Sequence, residues 1–178
     1  MHRTIHSAVL ALAGITIIAS AASASGSRAD FGPSRHLSEG AMAIQLGQFE
    51  RGISLTEKGL AEMPGPKDRA AALSNLCAAH VGLKRHADAL RLCNQSLQID
   101  ARNWRTWNNR AAAMLGLGLV QRAIDDAEHG LSINPDADAL QQTLEIARQR
   151  LEERERDRER GRPVRIDQVA MHVPRPRH

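Results

Sequence analysis

The chain has 178 residues, a formal net charge of +4 and an aromatic content of only 2%, with no tyrosine. This length favours one domain, and a scarcity of aromatic residues argues against a sheet protein, because strands favour aromatic and β-branched side chains. The positive charge is concentrated at the end of the chain, where residues 148–178 hold ten arginines against six acidic residues. The charge is therefore weak evidence for nucleic-acid binding, which would need a basic stripe on one face, and no nucleic-acid partner is expected.

Residues 1–24 have the pattern of a cleaved secretory signal peptide. Arg3 supplies the positively charged start, Ala8–Ala19 form the apolar region, and Ala22-Ser23-Ala24 fit a small-x-small cleavage site. A membrane anchor is the alternative, but this apolar run is shorter than the roughly 18 residues that usually span a bilayer. We therefore expect a mature chain that begins near Ser25, is periplasmic or secreted, and keeps no stable membrane anchor.

Residues 25–32 are small and polar, which predicts a flexible leader. Between residues 33 and 66, the apolar side chains Ile53, Leu60 and Met63 recur at helical spacing. Glycines are frequent in the same stretch, at Gly40, Gly47, Gly52 and Gly59. A glycine inside a helix costs about 1 kcal/mol relative to alanine. We therefore expect a helical unit here that is less stable than those that follow.

One pattern occurs twice between Ala70 and Ala137. The segment Leu73-Ser74-Asn75-Leu76-Cys77 aligns with Trp107-Asn108-Asn109-Arg110-Ala111, and Leu97–Asp100 aligns with Leu131–Asn134. The period is 34 residues, the difference between positions 73 and 107. A fixed period of about 20 to 50 residues indicates stacked repeats.

The spacing and residue types resemble the tetratricopeptide repeat, a helix–turn–helix unit of this length. In that family a bulky residue opens the first helix (helix A), small residues lie where helix A crosses the second helix (helix B), and proline follows helix B. The second copy has these residues at Trp107, Ala111, Ala123, Gly130 and Pro135, and Gly118 takes the place of the turn glycine. In the first copy, Leu73 replaces the bulky opener and Ala101 replaces the proline.

The resemblance implies a repeat over residues 70–103, another over residues 104–137, and a degenerate first repeat over residues 33–66. Two residues of the degenerate repeat depart from the family pattern: His36 stands in place of the bulky opener, and Glu39 occupies a usually apolar position. The glycines of this stretch lie where the family has small residues or its turn glycine.

After Pro135 an amphipathic capping helix is predicted over residues 138–160, with Asp136 or Asp138 as the N-cap. Leu140, Leu144, Ala147 and Leu151 form an apolar seam that would cover the last repeat, because a repeat array needs a terminal element with a polar outer face. Residues 152–160 contain no apolar side chain, which indicates a solvent-exposed extension of this helix. Residues 161–178 are predicted to be a disordered basic tail and a candidate contact for an anionic surface.

No catalytic constellation is recognisable in the sequence. Zinc-protease helix motifs, nucleophile elbows and phosphate-binding loops are not found. Gly116-Leu117-Gly118 matches the start of a dinucleotide-binding fingerprint, but the third glycine and a preceding strand are lacking. We therefore expect a protein that is not an enzyme and binds no cofactor.

Cys77 and Cys93 lie on the helix A and helix B sides of one hairpin, near the expected crossing of the two helices. In an oxidising compartment they could form a disulfide, provided that their Cα atoms lie within about 7 Å. The alternative is two buried thiols that act as small apolar packing residues. A metal site that also used His80 and His86 would lack the closely paired ligand spacing of zinc sites, so no bound metal is expected.

The concave face of the array is the remaining candidate site, because helix A of each unit lines it and solenoids bind partners there. Asn75 and Asn109 take equivalent inner-face positions, and an asparagine side chain can both donate to and accept from a peptide backbone. The family's carboxylate clamp is not carried over, because Arg105 is the only cation at a comparable position. The predicted partner-binding groove comprises Asn75, Ala78, Val81, Arg105, Asn108, Asn109, Ala112 and Leu115. The alternative is that the asparagines only satisfy local backbone groups.

The sequence therefore predicts an all-α fold, a right-handed α-solenoid of three helix–turn–helix repeats with a C-terminal capping helix. The function that the resemblance implies is a non-enzymatic scaffold, exported by a bacterium-like cell, that holds a partner peptide or helix in the concave groove. A structural or assembly role in the cell envelope, carried mainly by the charged C-terminal helix and tail, is the alternative. Both interpretations use analogy at the level of the fold, which does not fix function.

Overall fold

The computed structural model describes residues 35–62 and 65–161. These residues form seven α-helices: α1 (Arg35–Gln45), α2 (Phe49–Ala61), α3 (Pro66–Gly82), α4 (His86–Ile99), α5 (Trp104–Gly116), α6 (Val120–Ile133) and α7 (Asp138–Glu159). No strand occurs in the described ranges, and the predicted all-α repeat fold is confirmed. The predicted signal peptide (1–24), leader (25–32) and nearly all of the basic tail (161–178) lie outside these residues.

Successive helices pair into three hairpins, α1 with α2, α3 with α4, and α5 with α6. Each hairpin packs against the next element through α2 and α3, α4 and α5, and α6 and α7. The odd-numbered helices also contact one another in order, α1 with α3, α3 with α5, and α5 with α7. One side of the array is therefore lined by α1, α3, α5 and α7, which correspond to the A helices, while α2, α4 and α6 form the other layer.

Helix α3 begins at Pro66, four positions before the predicted start of its repeat. Proline at the first helical position is favourable, because its missing N–H would have no partner there and its fixed φ suits the helix. The extra turn carries Asp68, whose negative charge is favourable near a helix N-terminus.

The turn between helix A and helix B has the same backbone feature in all three hairpins. Gly47 and Gly118 have φ values of 74° and 72°, and Lys84 occupies the equivalent position of the second hairpin with a φ of 58°. This left-handed conformation is readily adopted by glycine and is unfavourable for residues with a Cβ atom. The second hairpin therefore has a strained lysine at the place where the other two have glycine.

Helix α7 covers the end of the array through its apolar seam. Leu140, Leu144 and Ala147 are buried, and Leu151 packs at the edge of the same cluster. The residue before the helix is Ala137, and no side chain caps its N-terminus, so the predicted N-cap at Asp136 or Asp138 is wrong. Asp138 lies instead in the first turn, where its carboxylate interacts favourably with the helix dipole.

The C-terminal half of α7 is attached to the third hairpin. Arg150 Nη1 donates to the carbonyl oxygen of Leu115 at 3.0 Å, and Arg154 Nη1 donates to that of Gly118 at 2.8 Å. These carbonyls belong to the end of α5 and its turn, where cationic side chains stabilise the helix terminus. The prediction of a purely solvated extension over residues 152–160 is corrected for Arg154. Among the described helices, none combines the length and the apolar character needed to cross a bilayer.

Candidate partner-binding groove

The eight predicted groove residues all lie on α3 and α5, two neighbouring A helices. Seven of them are buried, with exposed fractions between 0% for Ala78 and Asn108 and 7% for Val81. Arg105 has intermediate exposure. The structure therefore brings these residues together along one helix–helix interface. In this conformation a partner can contact Arg105 directly and the other seven only at their exposed margins. Their role in binding stays a prediction.

Asn109 connects α5 to α3. Its Nδ2 donates to the backbone oxygen of Ser74 at 3.3 Å and lies 3.5 Å from the Ser74 hydroxyl. Both residues are almost fully buried, so an unsatisfied amide here would carry a large desolvation cost. The acceptor is a backbone group, but it lies 35 residues away on the neighbouring helix, so this contact is not the local one that was the alternative to partner binding.

Asn108 makes the corresponding connection from α5 to α7. Thr143 Oγ1 lies 2.8 Å from Asn108 Oδ1 and 2.9 Å from the backbone oxygen of Ala139, so its single proton is shared between two acceptors. Asn108 is 0% exposed and Thr143 is 2% exposed. Polar links therefore join α3 to α5 and α5 to α7, and they hold successive A helices at a fixed spacing.

Arg105 is the cation nearest the start of α5. Its guanidinium carbon lies 4.5 Å from the centroid of the Trp104 ring, which is a cation–π contact. Trp104 in turn packs against the buried cluster of the third hairpin and α7. Stacking uses the face of the guanidinium, whereas its N–H donors point outward in the plane of the group. Arg105 can therefore hold a carboxylate while its position remains fixed by Trp104.

A polar cluster on the opposite side of α5 was not predicted. Arg110 donates from Nε and Nη2 to the two carboxylate oxygens of Asp126, at 2.7 and 2.8 Å, and from Nη1 to Asn94 Oδ1 at 2.8 Å. The same guanidinium stacks on Trp107 at 4.5 Å. This cluster joins α4, α5 and α6. The sequence contained one sign of this cluster: the charged Arg110 aligns with the apolar Leu76 of the preceding copy.

Cys77 and Cys93 are joined in a disulfide that links α3 to α4. Their sulfur atoms lie 2.14 Å apart and their Cα atoms 5.4 Å apart, and both residues are fully buried. A disulfide requires Cα atoms within about 7 Å of each other, and the sequence could not show whether this was so. The observed separation meets the requirement. Since both thiols are used in this bond, the ligand set of two cysteines and two histidines cannot form in this structure.

His80 and His86 lie on either side of the turn between α3 and α4, and both are half-buried. Burial lowers the pKa of both imidazoles, and the positive charges of Lys84 and Arg150 lower the pKa of His86 further. The Nδ1 atom of each ring finds no hydrogen-bond partner among the described residues. Gly116 of α5 makes room for the His86 ring, because a Cβ atom at Gly116 would overlap it. The described residues contain no group of three or more potential metal ligands.

No family model matches this chain. It is 28% identical over 130 residues to sperm-associated antigen 1 of mouse, a match that covers 73% of this chain and 13% of the mouse protein. A match to the rat counterpart is 26% identical over 115 residues. The chain thus corresponds to about an eighth of the length of these relatives. They are mammalian, so they offer no support for the expected bacterial origin or export.

Solved structures give the fold. The Hsp90 co-chaperone Cns1 of Saccharomyces cerevisiae is similar with a TM-score of 0.66 and 19% identity, over 72% of this chain and 42% of that one. The tetratricopeptide-repeat domain of Sgt2 from Aspergillus fumigatus gives 0.63 and 23%, over 74% and 88%. The second such domain of human RPAP3, in complex with the HSP70 peptide SGPTIEEVD, gives 0.56 and 22%, over 66% and 98%. The fold of this chain is that of tetratricopeptide-repeat domains.

Proposed function

We propose that this chain is a non-enzymatic protein-binding scaffold that holds an extended partner segment along its A-helix side. The observation that carries the proposal is the continuous row of α1, α3, α5 and α7, which contact one another in order. The Asn109–Ser74 and Thr143–Asn108 hydrogen bonds keep part of this row at constant spacing. A preformed surface reduces the entropy cost of binding. The RPAP3 domain, which has the same fold, binds a peptide with three acidic residues among its last four.

Arg105 is the residue that we propose to anchor the partner. It is the only one of the eight predicted groove residues with substantial exposure, and Trp104 fixes its guanidinium. An arginine can bind a carboxylate through two parallel hydrogen bonds, which gives both strength and direction. We therefore propose that the partner presents a carboxylate near the N-terminus of α5, and that the rest of the segment lies against the margins of α3 and α5.

The experiment measures binding of the labelled peptide SGPTIEEVD to the full chain by fluorescence anisotropy. The variant Arg105→Ala should weaken binding by at least about tenfold, since a hydrogen bond to a charged group contributes about 1.5–3 kcal/mol. Arg122→Ala is the matched control, because Arg122 is an exposed arginine on α6, in the other layer. Equal affinity of the Arg105 variant and the wild type would contradict the anchoring role.

A chain shortened after Gly161 separates this proposal from the alternative assembly role of the C-terminal tail. The groove proposal expects unchanged peptide affinity, because Arg105 and the A helices are kept. If binding to the peptide, or to envelope components recovered by crosslinking, requires residues 162–178, then the tail carries the function and the groove proposal is wrong.

We also propose that the protein works in an oxidising compartment outside the cytoplasm. Two observations support this: the signal-peptide pattern of residues 1–24, and the buried Cys77–Cys93 disulfide. Disulfides persist in oxidising compartments and are rare where thiols are kept reduced. The mass of the chain purified from its native cell tests the proposal. A chain that begins near Ser25 with joined cysteines is expected; an uncleaved chain with two free thiols would overturn it.

A further inference from the structure

The first hairpin exposes an apolar face whose counterparts in the other hairpins are covered. Equivalent positions in the three hairpins are found by aligning their turn residues of positive φ, which are Gly47, Lys84 and Gly118. Five positions before them lie Met42, Ala79 and Ala113, and one position before them lie Leu46, Leu83 and Leu117. Met42 is 57% exposed and Leu46 66% exposed, whereas Ala79, Ala113 and Leu117 are each 0% exposed and Leu83 has intermediate exposure. Ala79 belongs to an apolar cluster with residues of the first hairpin, and Ala113 to one with residues of the second, but no described element precedes α1.

The exposed face is shaped as a shallow depression of about 370 Å³. Its lining combines apolar and polar residues: Met42, Ala43 and Leu46, with Ser38, Glu39, Gln48 and Arg51. We call this surface the α1 edge. Large apolar side chains are the ones whose exposure is costly, because their removal from water stabilises the folded or assembled state. The end of a repeat array normally carries a polar cap for this reason.

The charges of the α1 edge are arranged in a way that suits self-association. Glu39 accepts a hydrogen bond from Arg35 Nε at 2.7 Å, and Arg51 Nη1 donates to Gln48 Oε1 at 2.9 Å. The hydrogen bond and charge of Arg35, and to a smaller extent the charge of Arg51, lower the pKa of Glu39, so its carboxylate is ionised near neutral pH. An acid and a base therefore line the same depression as Met42 and Leu46.

A two-fold axis through the depression would place the α1 edges of two copies face to face. Each Glu39 would then face Arg51 of the second copy, and Met42 and Leu46 of the two copies would meet between these pairs. A contact of this kind is isologous, since the same patch serves both partners and closes the assembly at two chains. Two complementary charge pairs would fix the register, and apolar burial would supply the affinity.

We propose that the α1 edge is a docking surface for a second copy of this chain, in a two-fold dimer in which the two α1 helices pack antiparallel. The second copy covers Met42 and Leu46, much as the preceding hairpins cover Ala79 and Ala113. The opposing charge pairs are the argument for a second copy over an unrelated partner. The dimer does not depend on the peptide site at Arg105, which lies on α5 two hairpins away.

Sedimentation equilibrium of the full chain tests the proposal, with twice the mass of one chain as the expected result. Glu39→Arg would place two arginines opposite each other at both contacts, and Arg51→Glu would do the same with two carboxylates. In each variant alone, the dissociation constant of the dimer should rise at least about tenfold, because like charges across an interface are unfavourable. An equal mixture of the two variants should dimerise again, since both contacts then join an arginine to a glutamate.

Two controls complete the test. Glu57→Arg changes an exposed acid of α2 that does not line the α1 edge, and it should leave the dimer intact. Met42→Asp together with Leu46→Asp should give a monomer whose helical circular dichroism is unchanged. A wild-type chain that remains monomeric at every concentration, or a mixture of charge variants that fails to dimerise, overturns the proposal. A monomer whose Met42 resists peroxide oxidation also overturns it, because another occupant must then cover the edge.

Discussion

The first and second hairpins cross at equivalent points with different chemistry. In the first, Gly40 lies against Thr56, and a Cβ atom on Gly40 would come within 2.9 Å of the Thr56 backbone nitrogen. In the second, the same two positions are Cys77 and Cys93, joined in the disulfide. The first crossing is therefore close contact between backbones, and the second is a covalent link. Both crossings need residues of small volume, because only small residues allow the two helices to approach closely.

The difference bears on how each hairpin resists separation. The disulfide limits the unfolded chain between α3 and α4, whereas nothing comparable restrains α1 and α2. The first hairpin also has three glycines within its helices, at Gly40, Gly52 and Gly59, and it lies at the end of the described array. That it is the least stable of the three remains a prediction.

Replacing both cysteines, Cys77→Ala with Cys93→Ala, should have the largest effect. The third hairpin already has alanines at the equivalent positions, Ala111 and Ala127, so the packing should be kept. Loss of the link across 16 residues should reduce the free energy of unfolding by about 3 kcal/mol. Urea denaturation measures the change. A reducing agent should lower the stability of the wild type by a similar amount and leave the variant unaffected; a response of both would refute the assignment.

Gly40→Ala should destabilise the first hairpin by about 1–2 kcal/mol. The reason is that the destabilisation from overpacking a close contact exceeds the stabilisation from the higher helix propensity of alanine. The new methyl group would meet backbone atoms of α2, which cannot move away as a flexible side chain can. Gly65→Ala is the matched control, since no atom lies within 4 Å of its Cβ position and its φ is −56°. Hydrogen exchange should show the loss mainly in α1 and α2. Equal effects of the two substitutions would contradict the close crossing.

Lys84→Gly should stabilise the second hairpin by about 0.5–1 kcal/mol, because glycine relieves the left-handed strain at the turn. Gly118→Ala in the third hairpin is the reciprocal change and should destabilise by about 1 kcal/mol. Thermal unfolding measures both. If Lys84→Gly lowered the melting temperature, the lysine side chain would have to make a compensating contact that outweighs its backbone strain.

Acidification should weaken the second hairpin slightly. Burial lowers the pKa of His80 and His86 in the folded chain, so at mildly acidic pH the unfolded chain binds more protons. Stability should therefore fall as the pH drops through the ordinary histidine pKa of about 6.5 and towards the lowered folded values. Nearby Asp88 opposes the shift at His80, whereas Lys84 and Arg150 reinforce it at His86.

The pH effect should stay well below the limit of about 1.4 kcal/mol per pH unit for one whole proton, because both rings are only half-buried. Denaturation curves at pH 5 to 7 should show a shallower slope for His86→Gln with His80→Gln than for the wild type. Identical slopes in the two proteins would exclude these histidines as the source of the pH dependence of stability.

Much of the fold could be read from the sequence. The 34-residue period, the turn glycines and the apolar seam of α7 predicted the helical hairpins and the terminal helix. The early start of α3 was missed, although Pro66 at its first position was a usable signal. The predicted N-cap of α7 was wrong because an aspartate near a helix start is favourable in the first turn as well as at the cap position.

The candidate site was less predictable. Asn109 and Ser74 are 35 residues apart in sequence, and Arg150 and Leu115 are also 35 apart, so their contacts form only when hairpins stack. The Arg110–Asp126 pair could have been suspected, because a charged residue aligned with an apolar one needs a partner when it is buried. The partner itself, 16 residues further along on α6, could not be chosen from several acidic candidates.

By itself, the sequence determined the helices, the turns and the order of the hairpins, because helical periodicity and turn conformation depend on residues only a few positions apart. The tertiary structure alone decided which polar side chains face a neighbouring helix. Asn109 and Arg105 lie one helical turn apart on α5, yet Asn109 is buried against α3 while Arg105 stacks on Trp104 at the surface. The packing of one hairpin on the next separates these two positions, and that packing depends on contacts between residues far apart in the sequence.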